Sequence, residues 1–185
     1  MWTERARPYQ SSRFVHQRFL TPGVPLKCWA AVLADLVRVT RPGGWVELVE
    51  PALTLTRAGG AAERLIELGC RMGRTLGLDT TGIVFRSLDD GLRRAGLIDV
   101  ERRDLELPIG EWGGQVGSMM ASDLRAAFTT LCGVYEARGI ITGDGRRKLI
   151  GVTMAECEQL RSCIGMAIAF GRKPDSRPPT IGHLE

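Results

Sequence analysis

An α/β fold with a mainly parallel sheet is predicted by three observations. Cys28 to Pro51 strings an amphipathic helix, a glycine turn and a short apolar strand together without a spare residue. A second helix-to-strand passage turns at Gly96, and an apolar strand closes the chain after two further helical stretches. Alternation of this kind argues for strands that share one sheet, with helices laid on its faces.

The elements follow in order. Residues 1–13 carry Pro8, Gln10, Ser11 and Ser12 and read as an irregular segment. Phe14 to Leu20 reads as a short buried strand, ended by the Thr21-Pro22-Gly23 turn. In the next helix Trp29, Val32, Leu33, Leu36 and Val37 fall at i, i+3, i+4, i+7 and i+8, one stripe of a 3.6-residue period. Pro42, Gly43 and Gly44 are expected to stop it, because proline disfavours helix for Arg41 and glycine accepts the positive φ of a helix exit. Trp45 to Val49 is the strand that follows. An ordinary helix–strand junction accounts for this pattern equally well.

Ala61 to Leu76 is a helix with Leu65, Leu68, Met72 and Leu76 on one face, and Thr80-Thr81-Gly82 is a loop. Ser87-x-x-Asp90 opens a helix whose acidic first turn suits the dipole and which Gly96 ends. Ile98, Val100, Leu105 and Leu107 mark a strand closed by Pro108. Gly110-Glu111-Trp112-Gly113-Gly114 lacks the Lys-Ser/Thr of a phosphate loop and reads as a turn or a lid hinge. Met120, Leu124, Ala127, Phe128, Leu131 and Tyr135 run along one long helix, a core stripe or a helical cap over the sheet. Thr153-x-x-Glu156 has the capping-box form and predicts another helix start. Met166 to Phe170 is the final strand, and 175–185, with Pro178 and Pro179, is a flexible tail.

Composition narrows the function classes. With 185 residues, 44% of them hydrophobic and 25% charged, the chain suits one globular domain, 14–174, with a packed core. No apolar run approaches the roughly 18 residues of a membrane span and the first ten residues hold no signal core, so a cytoplasmic location is expected. The five cysteines form no C-x-x-C pair and only two histidines are present, so no metal set emerges and buried free thiols are expected. The net charge of +4 is spread along the chain without interleaved aromatics, which favours a solvated basic face over a nucleic-acid groove.

The wording of the central segment is more specific than its periodicity. Phe14-Val15-His16-Gln17-Arg18, then Arg38-Val39-Thr40-Arg41-Pro42-Gly43-Gly44, then Trp45-Val46-Glu47-Leu48-Val49-Glu50 resembles class I S-adenosylmethionine-dependent methyltransferases around their fourth and fifth strands. There a D-x-V-H-x-R strand end leads to a helix ending RVLKPGG. Leu88 to Val100 is similar to the family's next helix and strand, and Gly171-Arg172-Lys173-Pro174 to its close. The resemblance implies a partial Rossmann-like sheet with strands equivalent to 4, 5, 7 and 6, the seventh antiparallel between the fifth and sixth, and a helical lid insertion from Gly117 to Arg161.

The chain departs from the family in two places. The glycine-rich turn that approaches the cofactor, and the acidic residue that holds its ribose, are not found ahead of Phe14, and Arg13 stands where the family has an acid. Pro8-Tyr9 is similar to the loop before the fourth strand in relatives. The chain is therefore expected to correspond to the carboxyl-terminal part of such an enzyme, and to be inactive alone if the cofactor half is missing.

Methyl transfer mostly requires alignment of two substrates and exclusion of water, with a base where the nucleophile carries a proton. Ligands of open α/β sheets bind at the carboxyl ends of strands, where His16, Gln17 and Arg18 lie. By resemblance these three are the cofactor-binding candidates for S-adenosyl-L-methionine. His16 is also the candidate base, imidazole being the side chain that exchanges its proton nearest neutral pH. The bland alternative has His16 hydrogen-bonding a loop and Arg18 packing its stem over Trp29. Glu50 and Trp112 are the substrate-side candidates, although Glu50 serves equally to bond a neighbouring loop. The implied partner is a small-molecule acceptor. A non-catalytic scaffold domain, pairing with itself or another protein through an exposed sheet edge, is the competing reading.

Overall fold

The structure, a computed structural model, describes residues 11–175. Strand β1 (Ser12–Arg18) passes through a single 3-10 turn (Leu26–Cys28) into α1 (Trp29–Val39), and β2 (Thr40–Thr56) follows at once. Helices α2 (Gly60–Thr75), α3 (Ile83–Arg86) and α4 (Leu88–Arg94) precede β3 (Ile98–Pro108). A 3-10 turn (Glu111–Gly113), α5 (Gly114–Ala137), α6 (Gly143–Gln159) and β4 (Cys163–Arg172) complete the order. Residues 1–10 and 176–185, with the expected Pro8-Tyr9 loop and most of the tail, lie outside the described residues.

The four strands form one sheet in the order β1-β2-β4-β3. β1 and β2 are parallel, with Phe14 beside Trp45, His16 beside Glu47 and Arg18 beside Val49. Gly43 N–H donates to Lys173 O at 2.9 Å and Lys173 N–H to Gly44 O at 2.8 Å, while Thr56 Oγ1 donates to Cys163 O at 3.3 Å, so β4 runs antiparallel to β2. Ile109 N–H donates to Ser162 O at 2.9 Å and Gly171 lies against Leu97, which makes β4 antiparallel to β3 as well. The last strand thus enters between the second and third, the 4-5-7-6 arrangement expected of a partial Rossmann-like sheet.

Two expectations about the first strands change. The helix stops at Val39, before Pro42: Thr40 turns extended (φ −75°, ψ 132°) and its Oγ1 donates back to Leu36 O at 2.7 Å. A β-branched residue ends the helix, and the glycines serve the strand instead. Arg13 alone stands opposite Arg41, Pro42, Gly43 and Gly44, a wide bulge in the β1–β2 ladder. Gly43 has φ +71°, and a Cβ on Gly44 would come within 3.0 Å of Arg13 O and 2.8 Å of Thr40 Cγ2, so the close approach of the two strands depends on glycine. The second change is exposure. β1 begins at Ser12 and, with β2 as its one partner among the described residues, is not the buried strand expected: Phe14 is 57% exposed.

The described residues fall into two compact units, 11–50 with 83–103 and 167–175, and 51–82 with 104–166. In the first unit, Val46 and Leu48 are fully buried with Trp29, Leu88, Leu92 and Ala169. Each of these valine and leucine side chains contributes about 1.5–3 kcal/mol when buried. The opposite side of these strands carries Phe14, His16, Trp45 and Glu47, all only partly covered.

The second unit joins α2, α5 and α6 to strand residues 51–56 of β2, 104–108 of β3 and 163–166 of β4. Leu65 and Leu68 of α2 pack with Phe128 and Cys132 of α5 and with Ile150 and Met154 of α6. Tyr135 Oη donates to Leu68 O at 2.6 Å, which gives the buried phenol its partner. The capping-box reading of Thr153 and Glu156 is corrected here: both lie inside α6, which is capped by Thr142, whose Oγ1 accepts from Gly145 N–H at 3.0 Å. Thr153 Oγ1 donates to Leu149 O at 2.9 Å. Glu156 instead accepts from Ala61 N–H at 3.0 Å and Ala62 N–H at 3.2 Å, capping α2 where a carboxylate also suits the dipole. The short helix α3 had no sequence signal, and Leu76 is 56% exposed as the residue that ends α2.

All five cysteines are free. Burial pushes the Cys132 and Cys157 thiols up, against a weaker opposing pull from Arg146 on the first and a Ser162 hydrogen bond on the second. With Cys163 also buried, a thiol reagent added to native protein is expected to label Cys28 and Cys70 promptly and the other three only after unfolding, as peptide mapping would show. Prompt labelling of Cys157 would contradict this packing.

Candidate functional site

The carboxyl end of β1 is built by the chain's own hydrogen bonds. Phe19 takes a left-handed conformation (φ +57°) just past the strand, and its N–H donates to Val49 O at 2.9 Å. That turn directs Leu20 and Thr21 toward β2. Glu50 is completely buried there, and its carboxylate accepts from Leu20 N–H at 2.9 Å, Thr21 N–H at 3.0 Å and Thr21 Oγ1 at 2.6 Å. Gln17 Nε2 supplies a fourth donor. A buried carboxylate with four donors is satisfied without a cation, and it fixes the loop that leaves β1.

Strand alternation separates the three predicted cofactor residues. Gln17 is 5% exposed and faces inward with Glu50; its Oε1 is buried without a hydrogen-bond partner. His16 and Arg18 are exposed on the other side. His16 Nδ1 and Glu47 Oε1 are 2.8 Å apart on adjacent parallel strands. With Nδ1–H donated to the carboxylate, Nε2 keeps its lone pair, the arrangement of an oriented base. The Arg18 guanidinium lies 5.8 Å from the centroid of Phe19, and the Phe14 and His16 rings stack at 6.3 Å.

His16, Gln17, Arg18 and Glu50 therefore share one strand end, while Trp112 belongs to the second unit. Trp112 Nε1 donates to Ile109 O at 3.0 Å, and Glu158 accepts from Glu111 N–H at 2.7 Å and Trp112 N–H at 3.0 Å. The glycine-rich segment around Trp112 is thus a hydrogen-bonded turn. Glu47 and Thr21 are site neighbours that sequence reasoning missed. The alternation of Trp45, Glu47 and Val49 holds a signal for Glu47, but only the strand register places it beside His16.

Among the described residues no three His, Cys, Asp or Glu side chains are placed to hold a metal ion, and no helix is long and apolar enough to cross a membrane. No family model matches the chain, and no curated protein matches it. Solved structures similar to it include phosphoethanolamine N-methyltransferase 2 of Haemonchus contortus in complex with S-adenosyl-L-methionine, at 11% identity and a TM-score of 0.45, covering 89% of this chain and 34% of that one. The [4+2]-cyclase SpnF aligns at 14% identity and a TM-score of 0.49, over 92% of this chain and 54% of its own. A geranyl diphosphate methyltransferase in complex with SAM aligns at 10% identity and a TM-score of 0.38, over 90% and 54%. The chain thus spans about one third to somewhat over half of the length of these proteins.

Proposed function

We infer that this chain is the carboxyl-terminal portion of a class I S-adenosylmethionine-dependent methyltransferase domain that acts on a small-molecule acceptor. The observation that carries the reading is the strand order β1-β2-β4-β3 with β1 parallel to β2, which puts the family-like Val15-His16-Gln17-Arg18 segment at the strand end where open α/β sheets bind ligands. The orphaned Gln17 Oε1 beside the buried carboxylate is consistent with a ligand-side donor at this place.

In this reading the cofactor, when bound, supplies an electrophilic methyl group. Arg18 binds it at its methionine portion, Gln17 and Glu50 hold the loop that shapes the strand end, and His16, oriented by Glu47, accepts the proton of the acceptor nucleophile at Nε2. The test is calorimetric titration of the folded chain with S-adenosylmethionine. Saturation near one equivalent, with Arg18→Ala at least tenfold weaker, is the expected result. A silent titration of folded protein would remove the enzyme reading from this chain.

One observation favours a second reading, that of a scaffold domain. β1 leaves one edge without a strand partner among the described residues and shows Phe14 at 57% exposure, the condition that self-pairing relieves. Light scattering distinguishes it, since a dimer abolished by Phe14→Lys supports pairing through this strand.

A further inference from the structure

Within the first unit, α1, α3 and α4 leave an apolar cleft of about 590 Å³ that belongs to no part of the strand-end site. Its floor is buried Trp29, Leu48, Val84 and Leu88, and its lips are Leu26 and Ile83, 41% and 48% exposed. Apolar side chains left open around a cavity of this size are the ordinary form of a small-molecule pocket. Its polar features are few and of one sign. Among the described residues, Ser87 and Arg94 are the only polar side chains on its wall besides the Trp29 indole, and no carboxylate lines it.

Charge decides which ligand fits. The acidic residues nearest in sequence to Arg94 are engaged by its neighbour, because Arg93 Nη1 lies 2.6 Å from Asp89 Oδ2 and 3.1 Å from Asp90 Oδ1. Arg94 has no ion-pair or hydrogen-bond partner among the described residues and is exposed at the cleft. An apolar cavity, one unneutralised guanidinium and no anion select against cations and in favour of an aliphatic anion.

We propose that this cleft binds a single-chain aliphatic carboxylate, its hydrocarbon among Trp29, Leu33 and Leu88 and its head group on Arg94. The proposal stands independently of the methyl-transfer reading, since none of these residues lies at the strand end. The α1 residues Ala30 and Ala34 are exposed on the wall, so a larger side chain there fills the space without disturbing the core. Each added methylene that is buried strengthens binding, on the order of tenfold for every two carbons.

Calorimetry with octanoate, decanoate and dodecanoate below their micelle concentrations, on the full chain, tests it. Expected are a stoichiometry near one, the stepwise gain with chain length, loss of binding in Ala30→Phe, and about threefold weakening of decanoate in Arg94→Gln with decanol unchanged. Ala34→Phe repeats the filling test should Ala30→Phe not fold. Absence of saturable binding, affinity independent of chain length, equal affinity for decyltrimethylammonium, or binding that survives a folded cleft-filling variant would each overturn the proposal.

Discussion

Glu50→Ala is expected to lose roughly 3–5 kcal/mol of stability, measured as a fall in the urea midpoint at constant slope. The substitution removes one carboxylate but strands four donors: Gln17 Nε2, Leu20 N–H, Thr21 N–H and Thr21 Oγ1. Water cannot readily replace it, because Glu50 is completely buried and Thr21 is 1% exposed. Glu50→Gln should cost less, since the amide keeps one acceptor oxygen, yet it turns an –NH₂ group toward donors that need acceptors. The order wild type, Gln, Ala therefore tests whether the carboxylate itself holds the loop. If Ala costs under 1 kcal/mol, that role fails.

Gly117→Ala is expected to be at least as damaging in the second unit, through sterics alone. A Cβ at this position of α5 would sit 2.2 Å from Gly110 O, a backbone atom that cannot rotate away, and Gly110 N–H itself donates to Gly117 O at 3.0 Å. Either the hydrogen bond or the start of α5 must give. A loss above about 3 kcal/mol is expected. Gly60→Ala is the control: the same change, in the first turn of α2 where nothing lies within 4 Å, should be neutral or stabilise by up to about 1 kcal/mol. Two equal outcomes would mean that close approach is not what Gly117 provides.

Elements with a strong local period were readable from sequence. α1, α5, β3 and β4 declare themselves through apolar spacing, and the position of β4 between β2 and β3 followed from the family resemblance. Features set by distant partners were not readable. The first turn of α6 holds Gly143 and Gly145, which have low helix propensity, and its cap at Thr142 lacks the acidic third residue that would mark a capping box. Glu156 has that acidic signature but uses it on α2, far away in sequence. The site shows the same division. His16, Gln17 and Arg18 are neighbours in sequence, whereas their split between two sides of β1 and the pairing of His16 with Glu47 depend on where the ladder is in register.

That register rests on the mismatch of Arg13 against residues 41–44, and the mismatch makes this short stretch intolerant of changes in length. Deleting one residue there would carry every later side chain of β2 to the other surface of the sheet, bringing Trp45 and Glu47 into the core and turning Val46, Leu48 and Glu50 outward. Insertions and deletions accumulating in a lineage of this protein should therefore spare the Thr40–Trp45 segment while gathering in surface connections such as the one between α5 and α6.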